Sequence, residues 1–556
     1  ASDVYKRQIH NILSGACLLL TTIAATSCDN ANDWTVDAAH NRLFSCDLSG
    51  VTPEDIGTEA TLEFKTVKGA EYYLIEVSKD TLYNDIEMGS TATSIIYGED
   101  KSIKESPYTM TGLDSSTKYY LRLKAMSGNT PESKWSYLSD YSFKTKSEQI
   151  FEEISTADLT ENSVVLHWLA NAEVTKLEIL KGEEVKVTKD LTNDNEAVTN
   201  GTITIDGLEA QTNYTAKIYK DNVVRGTIGF TTFAAVPSAD LVYRMTADEN
   251  LSNELLAEIT AQCEGTSLTI AMPAGTTNKY GEALELVDGY SYTFFGIAGE
   301  KKPVIAISTI TLKNNALIKF QNVELNADGI NAEGTAKTNE YIINQSAAAV
   351  VDNITFEDCD IIGFKNSIVR IQSSSSIEFK KVVFNGCYIK GQNLASKYYV
   401  LHNNSGKFGE VEYNNTTFDC TGYRGLFYSE NKDCTSINIT DCTIYNIPAS
   451  GQYVIDFKST NNGATNGIII NNTIFAKVQD ASAAKGIRSN SVQTFDNVWT
   501  TNDFKLTGNQ FSGTVTAFDG TSTDLFENPA AGDFTIKSYN FGGRLNAGAI
   551  KWRMTE

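Results

Sequence analysis

Six short segments late in the chain carry the side chains best suited to chemistry: "YIINQS" (341), "IVRIQS" (368), "YVLHNN" (399), "LFYSEN" (426), "VIDFKS" (454) and "GIRSNS" (486). Apolar and polar residues alternate in most of them, as in a strand with one buried face. Second and fourth positions such as Ile342, Val369, Ile371, Val400, Phe427, Ile455, Phe457 and Ile487 should face inward. Third and fifth positions then form a solvent-facing stripe: Arg370, Gln372, Asn403, Tyr428, Glu430, Asp456, Lys458, Arg488 and Asn490. A saccharide site needs planar groups to stack on, hydrogen-bonding forks, and cations if the glycan is acidic. Tyr428, Arg370, Arg488, Lys458 and the flanking amides supply all three. Tyr398, Tyr423, Arg424 and Lys432 add to them from loops near the same edge. Arg370, Lys458 or Arg488 could instead be a lone base. The plain alternative, for any single residue, is a solvated face with one Glu430–Lys458 pair. His402 falls at an inward position and reads as a satisfied core imidazole, not as a base.

A repeat must position this stripe. "IKFQNVEL" (318), "ITFEDCDI" (354), "VVFNGCYI" (382), "VEYNNTTF" (411), "INITDCTI" (437) and "IIINNTIF" (468) share one template. Apolar residues sit at steps 0 and 2, a turn-tolerant residue at step 4, a small one at step 5 and an apolar one at step 7. The odd step in the middle reverses the alternation, so one straight strand cannot keep all the apolar residues on one face. The switch residues are Asn322, Asp358, Gly386, Asn415, Asp441 and Asn472, all types that enter the left-handed αL region readily. One αL residue bends the chain and lets the strands on both sides face inward. The copies start 36, 28, 29, 26 and 31 residues apart, one coil of a solenoid each. Stacking then makes one interior column of Phe320, Phe356, Phe384, Tyr413, Ile439 and Ile470. Val323, Cys359, Cys387, Thr416, Cys442 and Thr473 make another. The cysteines among them read as small buried groups, not as disulfide or metal ligands.

Six like corners in register resemble the asparagine ladder of the right-handed parallel β-helix, the pectate-lyase-like fold. "LTIAMPAGTTNKYGEALEL" resembles its first coil and "DLFENPAAGDFTIKS" its closing segment, so the resemblance covers 234–556. It implies a functional face on the outer side of the stripe-bearing sheet. The family's lyases use an Arg or Lys as base, often with carboxylate-held Ca²⁺. Here only Glu430 and Asp456 supply carboxylate, whereas Ca²⁺ usually takes about six to eight oxygens. A pectinase-type hydrolase needs paired Asp side chains, and the stripe has no such pair. No metal or other cofactor is expected, with Ca²⁺ entering only under the lyase reading.

Upstream, "TGLDSSTKYYLRLKA" (111–125) and "DGLEAQTNYTAKIYK" (206–220) share Gly-Leu-x-x-x-Thr-x-Tyr. Leu113 and Leu208 would end one strand; Tyr119 and Tyr214 would open the next, each phenol bonding back across the corner. With Phe64 and Trp168 as core aromatics, the pattern resembles fibronectin type III domains over 39–147 and 148–233. Neither shows a cluster of exposed chemistry, and both read as spacers. The expected fold is therefore all-β: two fibronectin type III-like β-sandwiches followed by a right-handed parallel β-helix.

A net charge of −23 over 556 residues argues against a nucleic-acid partner. The acid is uneven: residues 365–490 hold 13 Lys/Arg against 9 Asp/Glu. Nine Cys and four His with no C-x-x-C argue against zinc, and whether Cys420 pairs with Cys434 stays open. The opening "ASDVYKRQ" lacks a Met and reads as an interrupted gene start. "ILSGACLLLTTIAA" (12–25) has signal-peptide length, and "ATSC" ending at Cys28 resembles a bacterial lipobox. Residues 1–27 are then a signal peptide and 28–38 a lipidated linker. Asp29 and Asp33 resemble the surface-export signals of Bacteroidetes lipoproteins.

The whole arrangement resembles surface lipoproteins of Bacteroidetes polysaccharide-utilisation loci. That resemblance implies an outer-membrane, cell-surface protein that captures a glycan, with an outer-membrane glycan transporter as a further partner. The preferred reading is a non-catalytic binder of an acidic plant polysaccharide such as pectin. A polysaccharide lyase acting on a polyuronate through Arg370 or Lys458 is the alternative, and a structural or adhesive surface protein the second. Replacing Cys28 by Ala should move the protein from the membrane fraction to the soluble one; a mutant that still pellets with membranes would exclude the lipid anchor.

Overall fold

The computed structural model describes residues 41–373, 376–392, 397–420 and 422–555; the signal segment, Cys28 and the linker lie outside the described residues. The chain divides into two compact units. One holds residues up to 151 with 168–201 and 215–228; the other holds 152–167, 202–214 and 229–556.

Alternating apolar residues build antiparallel sheets in the first half of the chain. Asp47–Pro53, Ala60–Lys65 and Tyr108–Met110 form one sheet. Ile95–Tyr97, Tyr72–Ser78, Lys118–Met126 and Ser136–Lys144 form a second, and Leu62, Phe64, Ile75, Tyr119, Leu121 and Leu123 share one core. Further on, Glu184–Asp190, Lys176–Lys181, Asn213–Lys220 and Val223–Thr231 make a four-stranded sheet, and Thr202–Asp206 pairs with Ser163–His167. Both corner tyrosines bond back as their spacing requires. Tyr119 Oη accepts from Asp114 N at 2.8 Å, and Tyr214 Oη from Glu209 N at 3.0 Å. Phe64 and Trp168 are buried. These are fibronectin type III-like sandwiches.

From Leu241 the strands of the two large sheets pair in parallel, coil upon coil, into the expected β-helix. Ile318, Ile354, Val382, Val411, Ile437 and Ile468 are successive partners in one ten-stranded sheet. Below them the rings of Phe294, Phe320, Phe356, Phe384 and Tyr413 stack with centroids 4.7–5.5 Å apart. The column thus begins one coil earlier than the repeat. All six switch residues are left-handed, with φ between 45° and 67°, and Asn497 at 50° extends the row by one coil. The Sγ atoms of Cys359, Cys387 and Cys442 each lie 3.3 Å from a carbonyl of the preceding coil, so the buried thiols also donate. Cys420 and Cys434 are separate buried thiols.

The stripe-bearing strands are Ile343–Gln345, Val369–Ile371, Leu401–Asn403, Phe427–Ser429, Tyr453–Asp456 and Lys485–Arg488, adjacent in that order. In the coils at 341 and 399 the expected phase is wrong by one residue; in the first, Ile343 rather than Ile342 takes the inward place beside Val369. Leu401 takes the inward place between Val369 and Phe427, which puts His402 in the outer row between Arg370 and Tyr428. Asn403 is no part of the solvent-facing stripe; it faces inward and is fully buried. Val400 and Leu401 are adjacent and both apolar, so this segment alone fits two phases, and pairing with the flanking coils selects one. An interior amide is tolerated because Asn403 Nδ2 donates to Gly406 O at 2.9 Å and Ser429 Oγ at 3.1 Å.

A closing segment crosses the outer face of the neighbouring sheet. Phe518, Leu525, Phe526, Phe534, Phe541 and Ala547 pack there against Tyr445, Ile474 and Ala476. Ile550 N donates to Asn415 Oδ1 and Trp552 Nε1 to Thr417 Oγ1, both at 2.8 Å, and Arg553 pairs with Asp441.

Gly386 is the glycine among the six switch residues: φ is +67°, and a Cβ would fall 2.1 Å from Asp358 Oδ1. Gly386→Ala should lower the unfolding free energy by about 1–2 kcal/mol. A denaturant titration showing no loss would mean the corner tolerates a side chain.

Candidate functional site

The outer row of the stripe-bearing sheet reads Asn344, Arg370, His402, Tyr428, Asp456 and Arg488, one residue per coil. Parallel register spaces successive members by about 4.8 Å, so each side chain meets its neighbours directly. The row splits into two halves of different electrostatic character.

In one half every charge is paired. Arg488 grips Asp456 with two bonds, Nε to Oδ1 at 2.7 Å and Nη2 to Oδ2 at 2.9 Å. Asp456 is buried and also accepts from Lys458 N at 2.7 Å and from Tyr399 Oη at 3.4 Å. Lys458 Nζ pairs with Glu430 Oε1, and Tyr428 Oη donates to Glu430 Oε2 at 2.6 Å. Lys458 and Tyr428 hold the Glu430 carboxyl below the usual carboxylate range. Arg488 is held more firmly protonated by Asp456. Lys458 and Arg488 therefore make poor bases and poor unshared anion ligands.

The other half is cationic and aromatic. Arg370 Nε donates to Asn404 Oδ1 at 3.1 Å, and its guanidinium carbon lies 4.6 Å from the Tyr398 ring centroid. Arg424 is fixed through its backbone, N donating to Tyr398 O at 3.1 Å. Among the described residues neither guanidinium has a carboxylate partner. Next to Arg370 in the row stands His402, stacked on Tyr428 with centroids 4.4 Å apart and met edge-on by Tyr398 at 4.7 Å. His402 Nδ1 is buried with no hydrogen-bond partner among the described residues. Burial, with the charges of Arg370 and Arg424, pushes the imidazole down to about 3. It is therefore neutral, and too weak a base to take a proton from carbon.

Of the residues expected at this site, Arg370, Tyr428, Asp456 and Arg488 share the outer row, with Glu430 and Lys458 beside it. Gln372 is half-buried just past its strand, with its backbone N on Gln345 O at 2.8 Å. Asn490 is exposed and bonds to the loop of the preceding coil, Nδ2 to Asn461 O at 2.9 Å. Tyr398 and Arg424 join the cationic half, while Lys432 is exposed. Tyr423 does not line the site: it is buried in the helix interior and donates to Phe364 O at 3.2 Å. His402, Tyr399 and Asn404 were not anticipated there. The Tyr398–Tyr399 pair before the strand was the available signal, since adjacent aromatics cannot both enter one core column.

No group of three or more His, Cys, Asp or Glu able to hold a metal occurs among the described residues. A family model described as a domain of unknown function (DUF5123) matches residues 437–552, which span the later coils and much of the closing segment. No curated protein matches the chain. Among solved structures, a two-domain fibronectin type III segment of chicken tenascin is 18% identical, covering 34% of this chain and 99% of that one, with a TM-score of 0.21. The chicken CNTN1 FN1–FN3 domains are 10% identical over 34% and 68%, with a TM-score of 0.15. A family 28 exopolygalacturonase of Yersinia enterocolitica is 15% identical over 67% and 91%, with a TM-score of 0.26. At these identities and scores the likeness transfers no activity.

The buried imidazole sets a pH dependence. A free His titrates near about 6.5, so as the pH falls from about 6.5 towards 3 the unfolded chain takes up a proton that folded His402 refuses. Stability must fall with pH across that window. Relative to His402→Phe, the wild type should lose roughly 1 kcal/mol per pH unit between about pH 6 and about pH 4. Parallel denaturation curves for the two proteins would mean that the ring protonates freely.

Proposed function

We propose that this chain is a non-catalytic glycan-binding protein of the bacterial cell surface, held by a lipid at Cys28, and that its β-helix binds an acidic plant polysaccharide such as pectin. The observation that carries the reading is the pair of guanidinium groups, Arg370 and Arg424, that have no carboxylate partner among the described residues and lie near the stacked rings of His402 and Tyr428. Guanidinium forks suit the carboxylates of uronate residues, and flat rings suit the apolar face of a pyranose. A Bacteroidetes polysaccharide-utilisation system, with an outer-membrane glycan transporter, is the setting that the lipobox and domain order suggest.

Against lysis stands the lack of an activated base: Lys458 and Arg488 are ion-paired and His402 is held neutral at low basicity. Lyase action on a polyuronate, with Arg370 as base and Ca²⁺ as its aid, is the second reading. It is favoured only by that one guanidinium free of carboxylates in the row. A structural or adhesive role is the third.

Trigalacturonate should bind, and Arg370→Ala should weaken it roughly tenfold, the order of a lost charge-assisted hydrogen bond. Affinity should also fall from 0.1 M to 1 M salt, as the Debye length shrinks from about 10 Å to about 3 Å. Absorbance of an unsaturated product during incubation with polygalacturonate, abolished by Arg370→Ala, would instead establish a lyase. Failure to bind any acidic glycan would leave the adhesive role.

A further inference from the structure

The outer face of the sheet formed by Ile95–Tyr97, Tyr72–Ser78, Lys118–Met126 and Ser136–Lys144 is not bare, as a spacer's would be. Tyr120, Arg122 and Lys124 alternate on that face, yet Arg122 is fully buried. The connection from 79 to 94 folds over it. Arg122 Nε donates to Glu76 Oε2 at 2.8 Å, and both side chains have zero exposure. Arg122 Nη1 donates to Tyr83 O at 2.7 Å, while Glu76 Oε1 accepts from Gly89 N at 2.8 Å. An ion pair taken wholly out of water gains little net stability. What this one does is fix the connection, and with it Tyr83 and Asn84.

Above the pair lies a cleft of about 520 Å³ lined by Thr81, Leu82, Tyr83, Asn84, Tyr120 and Tyr137. Tyr83 is 59% exposed although its backbone is anchored, and Tyr137 Oη donates to Asn84 Oδ1 at 3.0 Å. Three phenols, an amide and a hydroxyl, none of them charged, line it; Lys118 Nζ lies over the Tyr120 ring, 5.1 Å from its centroid, and the openly exposed ring is that of Tyr83. Such a surface suits a pyranose, whose ring carries both an apolar face and a rim of hydroxyls. We propose that this cleft is a second saccharide site, selective for neutral glycans, and independent of the cationic row on the β-helix.

The test titrates the full chain calorimetrically with cellohexaose, xylohexaose, maltohexaose and galactohexaose, and with trigalacturonate as the charged comparison. At least one neutral hexasaccharide should bind. Tyr83→Ala, a change at an exposed side chain, should weaken it at least fivefold, and Tyr83→Ala with Tyr120→Ala should abolish it. Arg370→Ala should leave neutral binding unchanged while lowering trigalacturonate affinity. The proposal is overturned if no neutral hexasaccharide binds, if Tyr83→Ala leaves binding intact, or if neutral binding is lost with Arg370→Ala. Failure of the unaltered chain to bind trigalacturonate, with neutral binding intact, would count only against the reading of the β-helix.

Discussion

Everything in the β-helix depends on one backbone conformation repeated once per coil. A strand that simply continued would turn its next side chains outward; a single residue at positive φ lets the chain bend and keep them inside. Asn322, Asp358, Gly386, Asn415, Asp441 and Asn472 all adopt it. Because the bend recurs at the same step, coils superpose, the aromatic column stacks, and every other position inherits a register. The functional row is one of those inherited positions. Arg370, His402, Tyr428 and Asp456 are neighbours only because Val369, Leu401, Phe427 and Ile455 are neighbours beneath them.

That dependence explains what could be read from the chain in advance. The corner template carries a residue tolerant of the left-handed region at a fixed step, so Ile318 through Ile468 could be aligned from the sequence, and their pairing agrees. The stripe-bearing strands have only three or four residues and no such marker. Where two apolar residues adjoin, as at Val400 and Leu401, alternation is degenerate, and His402 and Asn403 exchanged faces in the reading. Nor does composition disclose which cations are spent on partners. Lys458 and Arg370 look alike on the page, yet one is paired with Glu430 and the other is not. In the first sandwich the sheet itself was legible from Tyr119 and its neighbours. The cleft over it was not, because it is made by a connection held to the sheet by a buried ion pair and by hydrogen bonds between residues far apart in the chain.

Charge in the row is arranged by distance along the solenoid axis. At one end acid and base cancel in place, which keeps Asp456 buried without an isolated charge. At the other, positive charge is left beside neutral rings, and the protonation of His402 is suppressed first by burial and then by the same field that would draw an anion. The local excess of Lys and Arg over residues 365–490 is therefore not spread evenly over the face.

The closing segment has a kinetic meaning. A solenoid whose coils touch only their neighbours can fray from its end one coil at a time. Here Ile550 and Trp552 are bonded to Asn415 and Thr417, 135 residues earlier, and Arg553 to Asp441. No coil between those points can open alone without first releasing the clasp. The later coils are therefore tied to the closing segment as well as to their neighbours, by contacts of high sequence separation that slow folding. Once formed, the clasped coils resist proteases that depend on stepwise fraying.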